Sequence, residues 1–212
     1  MWKKNTTAGF FVAVDGPNGA GKSTLISAVK QKMESKGIAV HVTKEPTDTE
    51  LGNFTRQFAE KQSGKSLACL VAADRYEHIA NDIIPALHKG SLVISDRYIL
   101  SSLILQEIDG VSADFILKLH DTILQPDLQI AVFADSETLQ QRLQERPVLT
   151  RFEKENQSNI ELSKMNAGLI ELKKRHVSLL EIDNTQEIQV NAEKIILRIL
   201  SSWRPHEALY SV

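Results

Sequence analysis

The sequence has only one cysteine, no long apolar run and almost no excess of either charge. The lone cysteine, Cys69, excludes an internal disulfide, so we expect a fold held by its core and a thiol that is buried and inert. No segment reaches the roughly 20 consecutive apolar residues of a membrane-spanning helix. The formal net charge of −2 gives no sign of nucleic-acid or membrane binding. We therefore expect a cytoplasmic protein whose partners include neither nucleic acid nor a membrane.

The composition that is present points to one globular domain. Of the 212 residues, 42% are hydrophobic and 25% are charged, which suffices for one core and a small lid. Helical periodicity is clear in Glu50–Lys61 and in Leu67–His88. Five short apolar runs are typical of buried strands: Phe10–Val14, Ile38–Val42, Leu92–Asp96, Leu128–Phe133 and Leu179–Asp183.

Strands that alternate with helices predict an α/β fold, here a doubly wound, five-stranded parallel sheet flanked by helices. We place residues 1–212 in this single domain and expect a lid at about residues 146–157. Ligands of such sheets bind beyond the carboxyl ends of the strands. Asp15, Asp96 and Asp183 all lie at such ends.

The stretch GPNGAGKST, Gly16–Thr24, follows the first strand and fits the phosphate-binding pattern G-x-x-x-x-G-K-[ST] in full. Glycines let the backbone wrap an anion with inward N–H groups, Lys22 adds a charge for the β- and γ-phosphates, and Ser23 adds a ligand for Mg²⁺. An ordinary glycine-rich turn is the alternative, but the position between a buried strand and an amphipathic helix favours a P-loop. We expect ATP to contact Gly16, Asn18, Gly19, Ala20, Gly21, Lys22, Ser23 and Thr24.

Five further segments carry a resemblance to a known family. They are EPTDTELGNFTRQF (45–58), LVAADRYEH (70–78), DRYILSSLILQ (96–106), QPDLQIAVFAD (125–135) and TRFE (150–153). Together with the P-loop, their order and spacing resemble the thymidylate kinases, which are P-loop nucleoside monophosphate kinases. The resemblance runs from residue 10 to about residue 200 and implies the P-loop kinase fold.

The resemblance also implies the reaction and its residues. Such enzymes transfer the γ-phosphoryl group of MgATP to a nucleoside monophosphate, and we favour dTMP as the acceptor, giving dTDP. Asp96 is expected to hold Mg²⁺ with Ser23; capping of the next helix is the alternative, and the two roles are compatible. Arg97 and Arg56 match arginines that grip the acceptor phosphate, and Arg75 matches one that reads the base. Exposed salt bridges or a solvated helix face are the alternatives for these arginines. The expected acceptor contacts are Glu45, Arg56, Val71, Arg75, Arg97, Ser101, Leu105 and Gln106.

Basic residues cluster around the expected lid: Arg142, Arg146, Arg151 and Lys154. In the resembled enzymes a basic residue lies either in the P-loop or in the lid, and Gly19 indicates the second design. We expect Arg151 to reach the transferring phosphoryl group and to be catalytic together with Lys22 and Arg97. Arg142 is expected to contact ATP. A charged surface loop is the alternative.

The acceptor side departs from the family pattern. Val71 stands where an aromatic ring stacks on thymine, and Leu105 where an aromatic ring crowds the 2′ position. Asn18 stands where an acidic residue approaches the 3′-hydroxyl, and Thr47 and Asp48 replace two glycines. The acceptor is therefore either dTMP or a different or modified nucleotide.

Two hypotheses of other classes remain open. A deoxynucleoside kinase would need a carboxylate base at the sugar hydroxyl, and Glu45 is available for that role. An ATP-binding regulatory module would keep the P-loop with a degenerate acceptor site. Because family members pair through helices, the resemblance also implies a homodimer.

Overall fold

A computed structural model describes residues 2–154, 157–185 and 187–205 of the chain. Its five strands are β1 (Phe10–Asp15), β2 (Val40–Lys44), β3 (Leu92–Asp96), β4 (Leu128–Phe133) and β5 (Leu179–Asp183). They form one parallel sheet in the order β2-β3-β1-β4-β5. The helices are α1 (Lys22–Glu34), α2 (Glu50–Ala59), α3 (Gly64–His78), α4 (Ile84–His88), α5 (Ile99–Ile108), α6 (Ala113–Leu119), α7 (Ser136–Gln144), α8 (Arg151–Lys154), α9 (Ser158–Lys174) and α10 (Ile188–Ser202). The predicted α/β fold with a five-stranded parallel sheet is confirmed.

Strand β1 is buried on both faces, which explains its uninterrupted apolar sequence. Phe11 and Ala13 pack into a core with α3, α4, α5 and α9 on one side of the sheet. Val12 and Val14 pack into a second core with α1 and α10 on the other side. β1 is thus covered on both faces, and the P-loop begins directly after its last residue, Asp15.

The strand register brings three chain segments to one edge of the sheet. Asp96 at the end of β3 is paired with Val14 of β1 and with Lys44 of β2. The residues that follow these strands therefore emerge side by side. This is the carboxyl edge at which the sequence places the ligand.

Two predicted elements differ from the structure in their bounds. Strand β2 begins at Val40 rather than Ile38, because the Ile38 N–H is used to close the end of α1 on the Met33 carbonyl at 3.2 Å. The predicted helix at residues 67–88 begins at Gly64 and contains a π-helical turn at Ile79–Ile83. Pro85 follows this turn, and a proline cannot donate to the residue four positions earlier and clashes with its carbonyl, so the wider turn accommodates it.

Two expectations from the sequence concern the burial of the Cys69 thiol and the presence of a membrane-spanning helix. Cys69 is exposed on α3, so the expectation of a buried thiol was wrong; the buried side of this helix is formed by residues such as Leu67, Ala68 and Ala72. Within the described ranges, no helix combines the length and the apolar character that crossing a membrane would require.

Candidate functional site

The P-loop is packed so tightly that two of its glycines have no room for a side chain. Gly16 has φ +154°, and a Cβ there would lie 1.9 Å from the Val132 carbonyl oxygen. Gly19 has φ +80°, and its Cβ would lie 2.7 Å from the Leu139 carbonyl oxygen. Both the backbone conformation and the space therefore favour glycine at positions 16 and 19 of this chain. A basic side chain at position 19 would require the loop or the Leu139 backbone to shift.

Lys22 is buried and folded back on the loop that precedes it. Its Nζ donates to the Gly16 carbonyl at 3.0 Å and to the Pro17 carbonyl at 2.8 Å. Burial, followed by the positive charge of Arg97, lowers the pKa of Lys22 to about 7, against the opposing effect of nearby carboxylates. An incoming polyphosphate would supply the negative charge that favours the protonated amine.

Ser23 and Asp96 form a pair of oxygen ligands beside Lys22. The Ser23 hydroxyl donates to the Asp96 Oδ2 at 2.6 Å, and both residues line the P-loop pocket, which has a volume of about 210 Å³. One hydroxyl and one carboxylate fit Mg²⁺, which keeps several waters and takes further oxygens from substrate phosphates. The described residues contain no group of three or more histidine, cysteine or acidic residues placed for a metal ion. Asp96 does not cap α5: Asp15 accepts the N–H groups of Tyr98 and Ser101 instead.

A second, larger cleft of about 860 Å³ opens next to the P-loop pocket. All eight residues expected at the acceptor line it: Glu45, Arg56, Val71, Arg75, Arg97, Ser101, Leu105 and Gln106. Five residues line both cavities: Asn18, Lys44, Glu45, Arg97 and Arg146. This junction, with three cationic side chains, is the place where a group passing from one cavity to the other would travel.

Arg97 is held at the junction by an unusual backbone. Its φ is +78°, a left-handed conformation that costs a non-glycine residue roughly 1–2 kcal/mol. Two contacts fix it: its N–H donates to the Val14 carbonyl at 2.9 Å, and its carbonyl accepts the Ser95 hydroxyl at 2.7 Å. The guanidinium donates to Ser101 Oγ at 3.1 Å and to Asn18 Oδ1 at 2.7 Å. Strain held in this way at a cavity wall is typical of a functional site.

Arg75 is completely buried, which rules out the solvated helix face considered above. Its Nε and Nη2 donate to one oxygen of Glu45 at 2.8 and 2.7 Å, and its Nη1 donates to His120 Nε2 at 2.8 Å. The guanidinium also lies over the ring of Tyr98, 5.0 Å from its centre. Arg75 is thus fixed from three sides before any ligand binds.

Arg75 shifts the pKa values of two side chains that it contacts, Glu45 and His120. Burial alone would raise the pKa of Glu45, but Arg75 and His78 outweigh burial and hold that pKa below its ordinary value. Burial and Arg75 together lower the pKa of His120 to about 3. His120 is therefore neutral, with Nδ1 donating to the Ile116 carbonyl at 2.7 Å and Nε2 free to accept from Arg75.

Arg56 lies at the rim of the acceptor cleft, tied to the segment that follows β2. It donates to the carbonyls of Pro46 and Thr47, the latter at 2.7 Å, and to the side chains of Asp48 and Asn53, both at 2.9 Å. The exposed salt bridge considered as an alternative is present, with Asp48 as its partner. The same residue also lines the cleft, so the two interpretations of Arg56 are compatible.

The structure places Arg151 away from the P-loop pocket. Its guanidinium makes two 2.8 Å hydrogen bonds to Asp109, donates to the Ala59 carbonyl at 2.7 Å and stacks on Phe152 at 4.1 Å. Arg146, paired with Glu153, lines that pocket instead. The catalytic role of Arg151 stays a prediction, and it requires exchange of the Asp109 contact.

The other basic residues of the lid region are placed as follows. Arg142 donates to the Asn184 carbonyl at 2.9 Å, and its Nη1 lies 3.7 Å from where a Cβ on Gly21 would be. It therefore lies beside the P-loop, where ATP contact was expected. Of the predicted lid, residues 155 and 156 and the side chain of Lys154 lie outside the described part of the chain.

Comparisons with known proteins place the chain in one family. The sequence model of thymidylate kinases matches residues 14–195. A probable thymidylate kinase of Pyrococcus horikoshii is 36% identical over 154 residues, which is 69% of this chain and 75% of that protein. A thymidylate kinase of Caldicellulosiruptor saccharolyticus is 42% identical over 143 residues, which is 64% of this chain and 69% of that protein. The chain belongs to the thymidylate kinase family.

Membership of the thymidylate kinase family confirms the resemblance found in the sequence and the class of enzyme, an ATP-dependent nucleotide kinase. It leaves the role of each individual residue a prediction. The geometry adds residues that the sequence analysis missed. Lys44 directly precedes Glu45 and Pro46, so the motif could have included it. His120, which accepts from Arg75, and Glu161, which accepts the backbone N–H of Asn18 at 2.6 Å, have no local signal in the sequence.

Proposed function

We propose that this protein transfers the γ-phosphoryl group of ATP to dTMP, giving ADP and dTDP, with Mg²⁺ as the metal. The observation that carries the proposal is the junction between the P-loop pocket and the acceptor cleft, with Lys44, Arg97 and Arg146 on its walls. The family supplies the reaction class, and the relatives' names supply thymidylate as the acceptor.

On the donor side, the P-loop N–H groups and Lys22 bind the β- and γ-phosphates. Ser23 and Asp96 would hold Mg²⁺, which neutralises phosphate charge when it is bound. Arg142, beside Gly21, is in place to contact ATP. These groups position the γ-phosphorus toward the junction and supply no nucleophile of their own.

On the acceptor side, Arg97 and Arg56 bind the phosphate of dTMP with the bidentate geometry that guanidinium allows. An oxygen of that phosphate forms the new bond to the γ-phosphorus, and the bond to the bridging oxygen of ADP breaks. Because the acceptor phosphate is already ionised near neutral pH, no side chain has to remove a proton. Catalysis therefore depends on positioning the two substrates and on cationic side chains that stabilise the negative charge of the transferring phosphoryl group. Lys44 and Arg146 line the junction and are available for this role.

The deoxynucleoside kinase hypothesis requires Glu45 to act as a base, and its surroundings disfavour that. One of its oxygens accepts two bonds from Arg75, the other contacts His78 at 3.1 Å, and its pKa is lowered. A carboxylate held in this way is a weak base and is not free to approach a sugar hydroxyl. Glu45 instead orients Arg75.

A second candidate acceptor is favoured by two residues of the cleft. Val71 and Leu105 are half-buried in its wall, where the resembled enzymes have aromatic rings. Loss of a stacking ring costs roughly 1–3 kcal/mol per base. This leaves room for a different or modified pyrimidine nucleotide as the better substrate.

An ADP-release assay with dTMP, dUMP, dCMP and thymidine, each with and without Mg²⁺, tests the proposal. We expect turnover with dTMP, none with thymidine and none without the metal. Faster turnover of another monophosphate would replace dTMP by that acceptor, and turnover of thymidine would favour the nucleoside kinase. ATP binding without any acceptor-dependent ADP release would favour the regulatory module. The homodimer and the cytoplasmic location stay predictions.

A further inference from the structure

A buried carboxylate from α9 holds the P-loop from behind. Glu161 lies in the first turn of α9 and is 3% exposed. Its Oε2 accepts the backbone N–H of Asn18 at 2.6 Å, and its Oε1 accepts the Asn18 side-chain Nδ2 at 3.0 Å. One carboxylate thus fixes both the main chain and the side chain of a P-loop residue that lines the junction.

The other end of the Asn18 amide is used as well. Its Oδ1 accepts a 2.7 Å hydrogen bond from Nη2 of Arg97. An ionised carboxylate only accepts hydrogen bonds and a guanidinium only donates them, whereas a primary amide does both. Asn18 is therefore suited to connect Glu161 with Arg97, and each neighbour fixes the orientation of its amide. We call these three residues the Glu161–Asn18–Arg97 bridge.

We propose that Glu161 is a positioning residue for the acceptor phosphate. Through Asn18 it holds Arg97 at the junction, and it ties the start of α9, which follows the expected lid, to the P-loop. The inference rests on the proposed function in one respect, that Arg97 binds the phosphate of the acceptor. The bridge itself can be tested without any acceptor.

The main test is a cycle of Glu161→Gln, Asn18→Asp and the double variant. In Glu161→Gln, the new amide presents an N–H donor to the Asn18 Nδ2, so one contact of Asn18 is lost. We expect KM for dTMP to rise about tenfold, equivalent to about 1.4 kcal/mol, with smaller changes in kcat and in KM for ATP. Asn18→Asp places a second carboxylate about 3 Å from that of Glu161, so its loss should be larger.

The double variant restores every contact in the bridge. The new carboxylate at position 18 accepts from Arg97 and from the new amide at position 161, whose carbonyl oxygen accepts the backbone N–H. We expect KM for dTMP to return to within about threefold of wild type, although two side chains have changed. Glu171→Gln is the matched control, because Glu171 lies on the same helix but pairs with Lys174 and Arg175. It should behave as wild type.

Thermal unfolding of the same variants provides the acceptor-independent measurement. Asn18→Asp should lower Tm by roughly 5 °C, and the double variant should regain most of that loss. Equal KM for dTMP in Glu161→Gln and Glu171→Gln would overturn the positioning role. A double variant no better than Asn18→Asp in both KM and Tm would overturn the bridge. If the wild-type protein does not phosphorylate dTMP, the proposed function fails, whereas the Tm cycle still decides whether the bridge exists.

Discussion

Proton uptake on ATP binding is the most direct test of the P-loop geometry. The ligand-free protein holds the Lys22 pKa at about 7, because the amine is buried and faces Arg97, with Asp96, Asp15 and Glu161 acting in the opposite direction. Bound triphosphate favours the charged amine and returns its pKa toward the ordinary lysine range near 10.5. ATP binding above pH 7 must then be accompanied by uptake of a proton from solvent.

The size of the effect follows from the pKa of about 7. At pH 8 only about one tenth of the free protein has a protonated Lys22, so binding takes up about 0.9 proton. Between pH 7.5 and 9, the protonated fraction falls about 25-fold, and the affinity for ATP should fall by about the same factor. The direction is fixed by linkage, since the bound state holds the proton more tightly than the free state.

Calorimetric titration with a non-hydrolysable ATP analogue, at constant Mg²⁺, measures this uptake. At pH 8, two buffers that differ in ionisation enthalpy should give different apparent binding enthalpies, and the difference yields the number of protons. Lys22→Arg is the control, because a guanidinium stays charged and should abolish the Lys22 contribution. Equal proton uptake in wild type and Lys22→Arg would show that Lys22 is not the group that titrates, and the reasoning would fail.

Three other substitutions test the acceptor side and the lid. Arg97→Ala should raise KM for dTMP and lower kcat, by 2 kcal/mol or more in kcat/KM, while sparing ATP affinity, because it removes a charge-assisted contact to the acceptor phosphate; an unchanged kcat/KM would contradict the role. Arg146→Ala should lower kcat about 100-fold, whereas Arg151→Ala should act mainly on Tm through the lost Asp109 contact. A larger loss of single-turnover rate in Arg151→Ala than in Arg146→Ala would instead support Arg151 as the catalytic lid residue. Val71→Phe should improve kcat/KM for dTMP if thymidylate is the true acceptor and block a bulkier one; no change for dTMP, dUMP or dCMP would mean that Val71 does not touch the base.

The fold could be predicted from the sequence because its strongest signals are local. The apolar run of β1 predicts a strand buried on both faces, and the glycines that follow predict a P-loop. The bounds of β2 and the π-helical turn before Pro85 were not predicted. Both depend on details of backbone hydrogen bonding, the Ile38 N–H that closes α1 and the missing N–H of Pro85, which the spacing of apolar residues does not reveal.

The candidate site was predicted only in part, because several of its contacts join residues that are distant in the sequence. Residues adjacent in sequence, such as Lys22 and Ser23, are brought together by the loop itself. The sequence favours Arg151 over Arg146 because its motif resembles the lid of the family, but Arg146 lines the P-loop pocket while Arg151 pairs with Asp109 of another segment. His120 and Glu161 enter the site from helices far along the chain, and no spacing rule predicts such contacts.

The two halves of the site differ in how freely their sequence can change. Gly16 and Gly19 of the P-loop are enclosed by backbone of other elements: a Cβ on Gly16 would lie 1.9 Å from the Val132 carbonyl oxygen, and no rotamer change can relieve that overlap. Val71 and Leu105, in contrast, are half-buried in the wall of an open cleft, where a smaller side chain leaves space that a ligand or water can fill. A side chain added at Gly16 or Gly19 would therefore disturb the packing of the loop, whereas a substitution at Val71 or Leu105 should mainly change the space that is open to the acceptor. We therefore expect substitutions in the acceptor cleft to change substrate preference, whereas substitutions of Gly16 or Gly19 should impair the P-loop whatever the acceptor is.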